Sequence, residues 1–143
     1  MVLLLIHAGA TLAMVGLIWF VQVVHYPLFD FASERRFAGF AAEHQRRTSL
    51  VVVPLMFAEA GTALSLLVAP PVGLGRGPLW LGLLLLLVVW LSTALLQVPL
   101  HRRLANERDA AAIRRLVTSN WLRTVAWTAR GGLALFLLAE ASL

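Results

Sequence analysis

Two pairs of polar side chains lie near the ends of stretches of sequence that are otherwise apolar. Gln22 and His25 lie three residues apart near the end of the first stretch, and Gln97 and His101 lie four apart near the end of the third. Residues at these spacings share one face of a helix. Histidine exchanges protons near neutral pH and binds metals, and glutamine offers both hydrogen-bond donors and an acceptor. Each helix end therefore carries a group suited to proton transfer or ligand binding.

The second and fourth apolar stretches carry polar groups where they begin. His44 and Thr48 lie four residues apart at the start of the second stretch. The first turns of the fourth stretch carry a stripe made of Asn120, Arg123, Thr124 and Trp127. Successive helices of a membrane bundle alternate in direction, so all four stretches place polar groups at the same end. The sequence therefore predicts one polar cluster there.

Two charges lie deeper than this cluster. Glu59 is nine residues past Leu50, and Arg130 is nine residues past Trp121. At about 1.5 Å per residue, each lies about 13 Å below the point where its apolar run enters the membrane. An unpaired charge at that depth costs at least about 2.5–3.5 kcal/mol. We therefore predict that Glu59 and Arg130 form an ion pair.

These residue types support several kinds of chemistry. His25 or His101 would be the proton acceptor, and Arg123 would stabilise an anion such as an enolate or a quinone oxygen. The rest of the pocket would be lined by Gln22, His44, Glu59, Gln97, Asn120, Thr124, Trp127 and Arg130. A metal bound by His25, His44, His101 and Glu59, or a haem ligated by one of the histidines, is compatible with the same residues.

The same side chains also have a purely structural interpretation. His, Gln and Arg are common at membrane helix ends, where their polar tips reach the headgroups. In that case the cluster would serve packing alone, and Glu59 and Arg130 would form a structural clamp. Tyr26 is expected at the headgroup boundary, with Pro27 as a helix stop.

Two residue types are missing from the 143-residue chain, which has no Cys and no Lys. Without Cys, the chain has no disulfide, no thiolate metal site, no iron–sulfur cluster and no thioether-linked haem. Without Lys, it forms no Schiff base with retinal or pyridoxal phosphate. Any cofactor must therefore be held by His, carboxylate or Arg, or without covalent attachment.

The elements that would position these residues follow from hydrophobicity. The chain is 60% hydrophobic and 13% charged, whereas soluble domains carry roughly 25% charged residues. Four apolar runs approach or exceed the roughly 20 residues that cross a bilayer: Val2 to Val24, Leu50 to Ala69, Leu79 to Leu100, and Trp121 to Ala139. The sequence predicts an all-α, four-helix transmembrane bundle forming one domain over residues 1–143. Its helices are expected at about 2–27, 45–69, 79–101 and 120–140.

The arginines predict the orientation of this bundle. Nine of them lie in the first and third loops, at positions 35, 36, 46, 47, 102, 103, 108, 114 and 115, and Arg76 alone lies in the second. Loops rich in Arg stay in the cytoplasm. We therefore expect loops 1 and 3 in the cytoplasm and both termini outside a bacterial-type inner (plasma) membrane. This topology explains the net charge of +5, so no nucleic-acid partner is expected.

The two halves of the chain have similar sequences at corresponding places. Predicted helix 1 ends in "QVVHYPL" and predicted helix 3 ends in "QVPLH", and an Arg-rich segment follows each. Both segments are expected to form short amphipathic helices on the cytoplasmic surface, the first of them either separate from predicted helix 2 or running straight into it. Ser119 or Asn120 is expected to cap predicted helix 4. A duplication would relate the two hairpins as parallel repeats.

The segments "VPLHRRLA" and "TSNWLRTVAWTAR" resemble the small four-helix bacterial membrane family that includes the anthrone oxygenases. The resemblance spans most of the chain and implies a cofactor-independent oxygenase acting on polyaromatic phenols. That family often has Asn where this chain has His101, a departure that bears on the activity. The four-helix haem-binding protoporphyrinogen oxidases share the size and an early histidine, but their usual catalytic Lys is absent here.

These observations favour a membrane-embedded oxidoreductase or oxygenase acting on a lipid-soluble aromatic or quinone-like molecule. Its pocket would open towards the cytoplasmic leaflet. One alternative is a small transporter that uses Glu59 and Arg130 as a switch, which would require a homo-oligomer. Another is a structural or assembly subunit of a membrane complex. In every case the lipid bilayer is a partner, and in the first case so is a hydrophobic small molecule.

Overall fold

The computed structural model describes residues 1–142, and in this range it consists of helices and their connections. The elements are α1 (Val2–Phe20), a π-helical turn (Val21–His25), 3-10 turns (Pro27–Phe31 and Glu34–Arg36), α2 (Phe37–Val68), α3 (Arg76–Ser92), a second π-helical turn (Thr93–Gln97), α4 (Val98–Leu104) and α5 (Ala110–Glu140). The predicted all-α fold is confirmed.

Three continuous helical stretches are long and apolar enough to cross a membrane: Val2–Phe31, Glu34–Val68 and Arg76–Leu104. The fourth predicted run, Trp121 to Ala139, lies within α5. The helix is long enough, but Arg123 and Arg130 make it more polar than the other three. By length and composition, three of the four predicted spans are therefore supported.

The predicted amphipathic helices are not separate elements. The segment before predicted helix 2 is continuous with it in α2, which has 32 residues, and the segment before predicted helix 4 is continuous with it in α5, which has 31. No Pro interrupts either junction and the only nearby Gly is Gly39, so nothing stops the helix from propagating. The expected starts at 45 and 120 were therefore wrong by eight and ten residues.

Asp109, rather than Ser119 or Asn120, caps the last helix. Its Oδ1 accepts hydrogen bonds from the backbone N–H groups of Ala111 at 2.8 Å and Ala112 at 3.1 Å. These bonds, together with the nearby Arg103 guanidinium, hold the pKa of the Asp109 carboxyl below its usual value. The carboxylate therefore satisfies two of the free N–H groups that every helix N-terminus presents.

The two halves of the chain follow the same plan of elements. In each, an apolar helix of 19 or 17 residues leads into a five-residue π turn, and a helix of 32 or 31 residues follows later. A proline stands two residues after each π turn, as Pro27 and Pro99. This correspondence of lengths extends the similarity found in the sequence to the backbone.

The packing turns polar side chains inward and apolar ones outward. α5 packs against α1 and α3, and α2 packs against the same two helices. On α5, Asn120, Arg123 and Arg130 are buried, whereas Trp121 and Val125 are exposed. The connections at residues 26–36 and 105–109 meet at one end of the molecule, because Arg108 bonds Glu34 and the Asp30 carbonyl. We call this the loop end.

Two adjacent glycines in α5 provide a matched test of this packing. A Cβ atom on Gly131 would lie 2.9 Å from Cγ2 of Val15 in α1, whereas one on Gly132 would meet nothing within 4 Å. Valine is stiff at χ1, so the contact at Gly131 cannot relax easily. We expect Gly131→Ala to lower the free energy of unfolding by about 1–3 kcal/mol. Gly132→Ala should raise it by roughly 0.5–1 kcal/mol. Thermal unfolding of both variants in one detergent gives the comparison, and equal effects would contradict the close approach of α1 and α5.

Candidate functional site

The two π turns explain how the polar helix ends are positioned. Pro27 and Pro99 lack the backbone N–H that would continue a regular helix. The Tyr26 N–H instead bonds the Val21 carbonyl five residues back at 2.9 Å, and the Val98 N–H bonds that of Thr93 in the same pattern. A π turn adds one residue to a helical turn and is frequent at functional sites. The first turn ends at His25 and the second ends at Gln97.

Three histidines from different elements form a chain of side-chain contacts. Nε2 of His25 lies 2.7 Å from Nδ1 of His44, and Nε2 of His44 lies 3.4 Å from Nε2 of His101. His101 Nδ1 lies 2.9 Å from the Gln97 carbonyl oxygen. The rings of His44 and His101 are stacked, with centroids 5.4 Å apart. The predicted meeting of these histidines is therefore present in the structure.

The neighbours of the chain determine one consistent set of neutral tautomers. A carbonyl oxygen only accepts, so His101 must carry its proton on Nδ1, and its Nε2 is then an acceptor. His44 can donate to that atom only from Nε2, which leaves its Nδ1 to accept from His25 Nε2–H. The Thr48 hydroxyl, 3.2 Å from the same Nδ1 of His44, is compatible with this assignment because a hydroxyl can donate as well as accept. The remaining nitrogen, Nδ1 of His25, has no hydrogen-bond partner among residues 1–142.

An apolar groove of about 470 Å³ lies between α1 and α2 on one side of this chain. His25 and His44 lie in its wall. The other lining residues are Leu17, Phe20, Val21, Phe40, Glu43, Arg47, Thr48 and Val51. A molecule in the groove would therefore meet mostly apolar side chains and, at one place, the imidazole rings of His25 and His44.

A smaller polar pocket of about 90 Å³ is lined by His101 at the other end of the chain. Its other lining residues are Tyr26, Gln45, Thr48, Ser49, Val52, Thr93, Gln97, Val98 and Arg123. Its lining comes from α2, α4, α5, the second π turn, and Tyr26, which directly follows the first π turn. The three histidines therefore connect an apolar groove with a polar pocket.

Tyr26 was not expected at this site. Predicted to mark the headgroup boundary, it is instead 3% exposed, and its hydroxyl lies 3.4 Å from Nε2 of His101. The π turn causes this difference, because it rotates Tyr26 away from the position that a regular helix would give it. The available signal was its place between His25 and Pro27, in a chain with one tyrosine.

Gln22, Asn120 and Thr124 form a buried network that ties α1 to α5. Asn120 Nδ2 donates to Gln22 Oε1 at 2.9 Å, and the Thr124 hydroxyl donates to the same atom at 3.4 Å. Gln22 Nε2 donates to the Val117 carbonyl at 3.2 Å. These residues lie in neither the groove nor the polar pocket, so they position the first π turn rather than line a ligand site.

The predicted pair of Glu59 and Arg130 is present and almost fully buried. Nε and Nη2 of Arg130 each lie 3.3 Å from Oε1 of Glu59, and the two side chains are 2% and 0% exposed. Trp127 Nε1 donates to Glu59 Oε2 at 2.8 Å, and Arg130 Nη1 donates to the Gly82 carbonyl. Both carboxylate oxygens are therefore occupied, and Glu59 makes no hydrogen bond to a histidine in the described part of the chain.

The predicted site residues therefore occupy three places rather than one pocket. His25, His44, His101, Gln97 and Arg123 line the groove or the polar pocket. The network of Gln22, Asn120 and Thr124 is packed between helices. Glu59, Trp127 and Arg130 form a buried cluster that contacts the polar pocket only where the Trp127 ring lies against Arg123. Side-chain spacing predicted that these residues lie at the same end of the bundle. It could not show which of them face the groove, the polar pocket or a neighbouring helix, because that depends on the rotation of each helix about its axis.

The histidine geometry does not match a metal site built from the predicted ligands. Within residues 1–142, no group of three His, Asp or Glu side chains is placed to hold a metal ion. Two imidazole nitrogens on one tetrahedral ion, each about 2.0–2.1 Å from it, would be about 3.3 Å apart. His25 Nε2 and His44 Nδ1 are 2.7 Å apart, a hydrogen-bonding distance. The fourth predicted ligand, Glu59, is held by Trp127 and Arg130.

Chemically, this arrangement suits proton transfer. His25 and His44 can each receive a proton at one nitrogen while releasing one from the other, so a proton entering at His25 can reach Nε2 of His101. In comparisons with family models, curated proteins and solved structures, nothing matches this chain.

Proposed function

We propose that the chain crosses a bacterial-type inner membrane four times, with both termini outside and loops 1 and 3 in the cytoplasm. Three apolar helical stretches of membrane-spanning length support this proposal. So does the apolar part of α5, residues 121–139, in which the two charged side chains, Arg123 and Arg130, are buried while the exposed surface carries Trp121, Leu122, Val125, Leu135 and Phe136. Polar groups inside and apolar groups outside suit a helix surrounded by lipid.

Within this membrane domain, the groove between α1 and α2 binds a lipid-soluble aromatic molecule that carries a phenol or enol hydroxyl. The observation that carries this proposal is the histidine chain that begins in the wall of the groove. A hydrophobic ligand needs apolar walls with a few placed polar groups, and the groove provides both. His25 Nδ1 is the nitrogen open to the ligand.

The proposed reaction is an oxidation that begins with loss of the hydroxyl proton. His25 Nδ1 accepts that proton, its Nε2–H proton moves to His44 Nδ1, and the Nε2–H proton of His44 moves to His101 Nε2. The resulting phenolate or enolate is electron-rich and reacts with dioxygen, as the resemblance to anthrone oxygenases suggests. A ring CH₂ becomes C=O; one oxygen atom enters the product and the other leaves as water.

The test uses the purified protein in lipid nanodiscs with a hydroxylated anthrone as the probe. We expect saturable quenching of tryptophan fluorescence, oxygen consumption, and an equal amount of quinone product. Val51→Trp, which fills the groove, should weaken binding at least tenfold. Leu91→Trp, at an exposed apolar position of α3 outside the groove, is the matched control and should bind normally.

The outcomes separate the two parts of the proposal. Binding without oxygen consumption would reject the oxygenase while leaving the groove as a ligand site. An affinity that Val51→Trp does not change would reject the groove itself.

A further inference from the structure

The interior contains one cationic side chain that the chain itself does not neutralise. α5 carries two buried arginines, of which Arg130 is paired with Glu59. Arg123 is 5% exposed, and none of the ion pairs in the described range 1–142 includes it. A buried charge without a partner is strongly unfavourable. Arg123 therefore calls for an anion from outside the chain.

The surroundings of Arg123 satisfy it only in part. Its guanidinium lies over the ring of Trp127, with the Cζ atom 5.1 Å from the ring centroid, which favours the cation without neutralising it. Its Nε atom is buried and lacks a hydrogen-bond partner among residues 1–142. The charge of Arg123, which lines the polar pocket, is thus left for a ligand to neutralise.

A second side chain of the same pocket, Gln97, has a hydrogen-bond acceptor that lacks a donor. Gln97 is 2% exposed, and its Oε1 atom is buried without a hydrogen-bond donor in the described residues. Its amide nitrogen is already bonded to the Ser119 hydroxyl at 3.0 Å. A fully deprotonated anion would satisfy Arg123 but would be repelled by this oxygen. A ligand that carries both a negative charge and an O–H group would satisfy both residues.

We propose that the polar pocket binds a monoprotonated phosphate group, either inorganic phosphate or a phosphomonoester headgroup. The volume of about 90 Å³ suits a group of this size. Arg123 takes the charged oxygens, since guanidinium is well matched to phosphate. Gln97 Oε1 accepts the remaining P–OH proton. Exposed Ser49 lies at the mouth of the pocket, where the ligand enters. The inference is independent of the function proposed for the groove, because the two sites lie at opposite ends of the histidine chain.

Phosphate and sulfate distinguish this site from general attraction of anions. They are similar in size, but at pH 7 inorganic phosphate still carries a proton and sulfate carries none. A phosphomonoester, whose second pKa is about 6, is protonated only in part at this pH. Titration calorimetry of the full chain in detergent, at constant ionic strength, should show phosphate binding at least tenfold more tightly than sulfate. Gln97→Leu should abolish this preference, and Arg123→Gln should remove binding of both ions. Arg102→Gln, at an exposed position near the same end, is the control and should change neither.

A second variant and a comparison of lipid vesicles complete the test. If Arg123→Gln fails to fold, Ser49→Trp blocks the mouth without touching the buried arginine and should weaken phosphate binding at least tenfold. Vesicles with phosphatidic acid, a phosphomonoester, are compared with vesicles of phosphatidylglycerol, a diester without a P–OH group. Preference for phosphatidic acid without binding of inorganic phosphate identifies a lipid headgroup as the ligand. Equal binding of phosphate and sulfate, or binding that Ser49→Trp does not change, overturns the proposal.

Discussion

Glu59→Ala is expected to lower the free energy of unfolding by about 3–5 kcal/mol, the largest effect on stability of any single change discussed here. Removing the carboxylate leaves the Arg130 guanidinium charged, with 2% of its side chain exposed. It also leaves the Trp127 N–H without its acceptor. The loss is thus chiefly the cost of the groups left behind. Thermal unfolding in nanodiscs, or reversible unfolding in mixed detergents, measures it.

A double variant shows whether the cost comes from the unpaired charge. Glu59→Leu with Arg130→Met removes both charges and should recover most of the stability lost in Glu59→Ala, because a buried pair can be replaced by apolar residues at little cost. Glu43→Gln, which removes an exposed carboxylate bonded to Arg46 and Arg47, is the control and should scarcely change the melting temperature. A double variant less stable than Glu59→Ala would contradict the explanation.

The same variants address the transporter alternative. A switch must exchange partners, whereas Glu59 has both oxygens bonded and the cavity beside Arg130 measures about 10 Å³, room for about one water molecule. This geometry favours a clamp between α2 and α5. Uptake into proteoliposomes that depends on Glu59, in a variant of normal stability, would favour transport instead.

The contact between Glu59 and Arg130 was predictable because it depends on depth alone. Equal distances from the starts of two apolar runs on helices running in the same direction place two charges at one level, and burial without a partner is too costly to persist. The meeting of His25, His44 and His101 at one end followed from the same kind of argument. Position along a helix axis is thus readily inferred from sequence.

Rotation about the helix axis was not predictable to the same degree. A π turn shifts the face on which later side chains lie, and the sequence marks it only by Pro27 and Pro99, which equally suggest a helix stop. Tyr26 was therefore placed at the boundary, although it is buried beside His101. The division of the predicted pocket into a groove and a polar pocket depends on this rotation.

The start of α5 shows a further limit of predicting helix boundaries from sequence. Ser119 and Asn120 have good capping side chains and precede an apolar run, so they resemble a helix start. The helix nevertheless begins at Ala110, because Asp109 offers a carboxylate to the first turn and the alanines that follow propagate the helix well. A membrane boundary and a helix boundary need not coincide, and hydropathy locates only the former.

Among residues 1–142, His44 is the one histidine that uses both ring nitrogens to contact other histidines, so the proposed proton transfer depends on it most directly. We expect His44→Gln to slow oxidation of the anthrone probe by about 10²–10⁴-fold, the usual contribution of proton transfer by a side chain. Glutamine keeps a donor and an acceptor, but it cannot receive a proton at one atom and release another. His7→Gln, which alters a histidine bonded to Thr62 instead, should leave the rate unchanged.

Nitrogen-15 NMR of the histidine rings tests the chain without any substrate. The contacts require the proton on Nε2 in His25 and His44 and on Nδ1 in His101, because the Gln97 carbonyl accepts from His101. Histidines that only pack at a helix end would not be expected to carry their protons on this particular set of ring nitrogens. Loss of His44 should therefore free His25 to exchange tautomers, while His101 stays fixed by Gln97. If His25 were unaffected, the side chains would be neighbours without a proton path, and the slower oxidation expected for His44→Gln would need another cause.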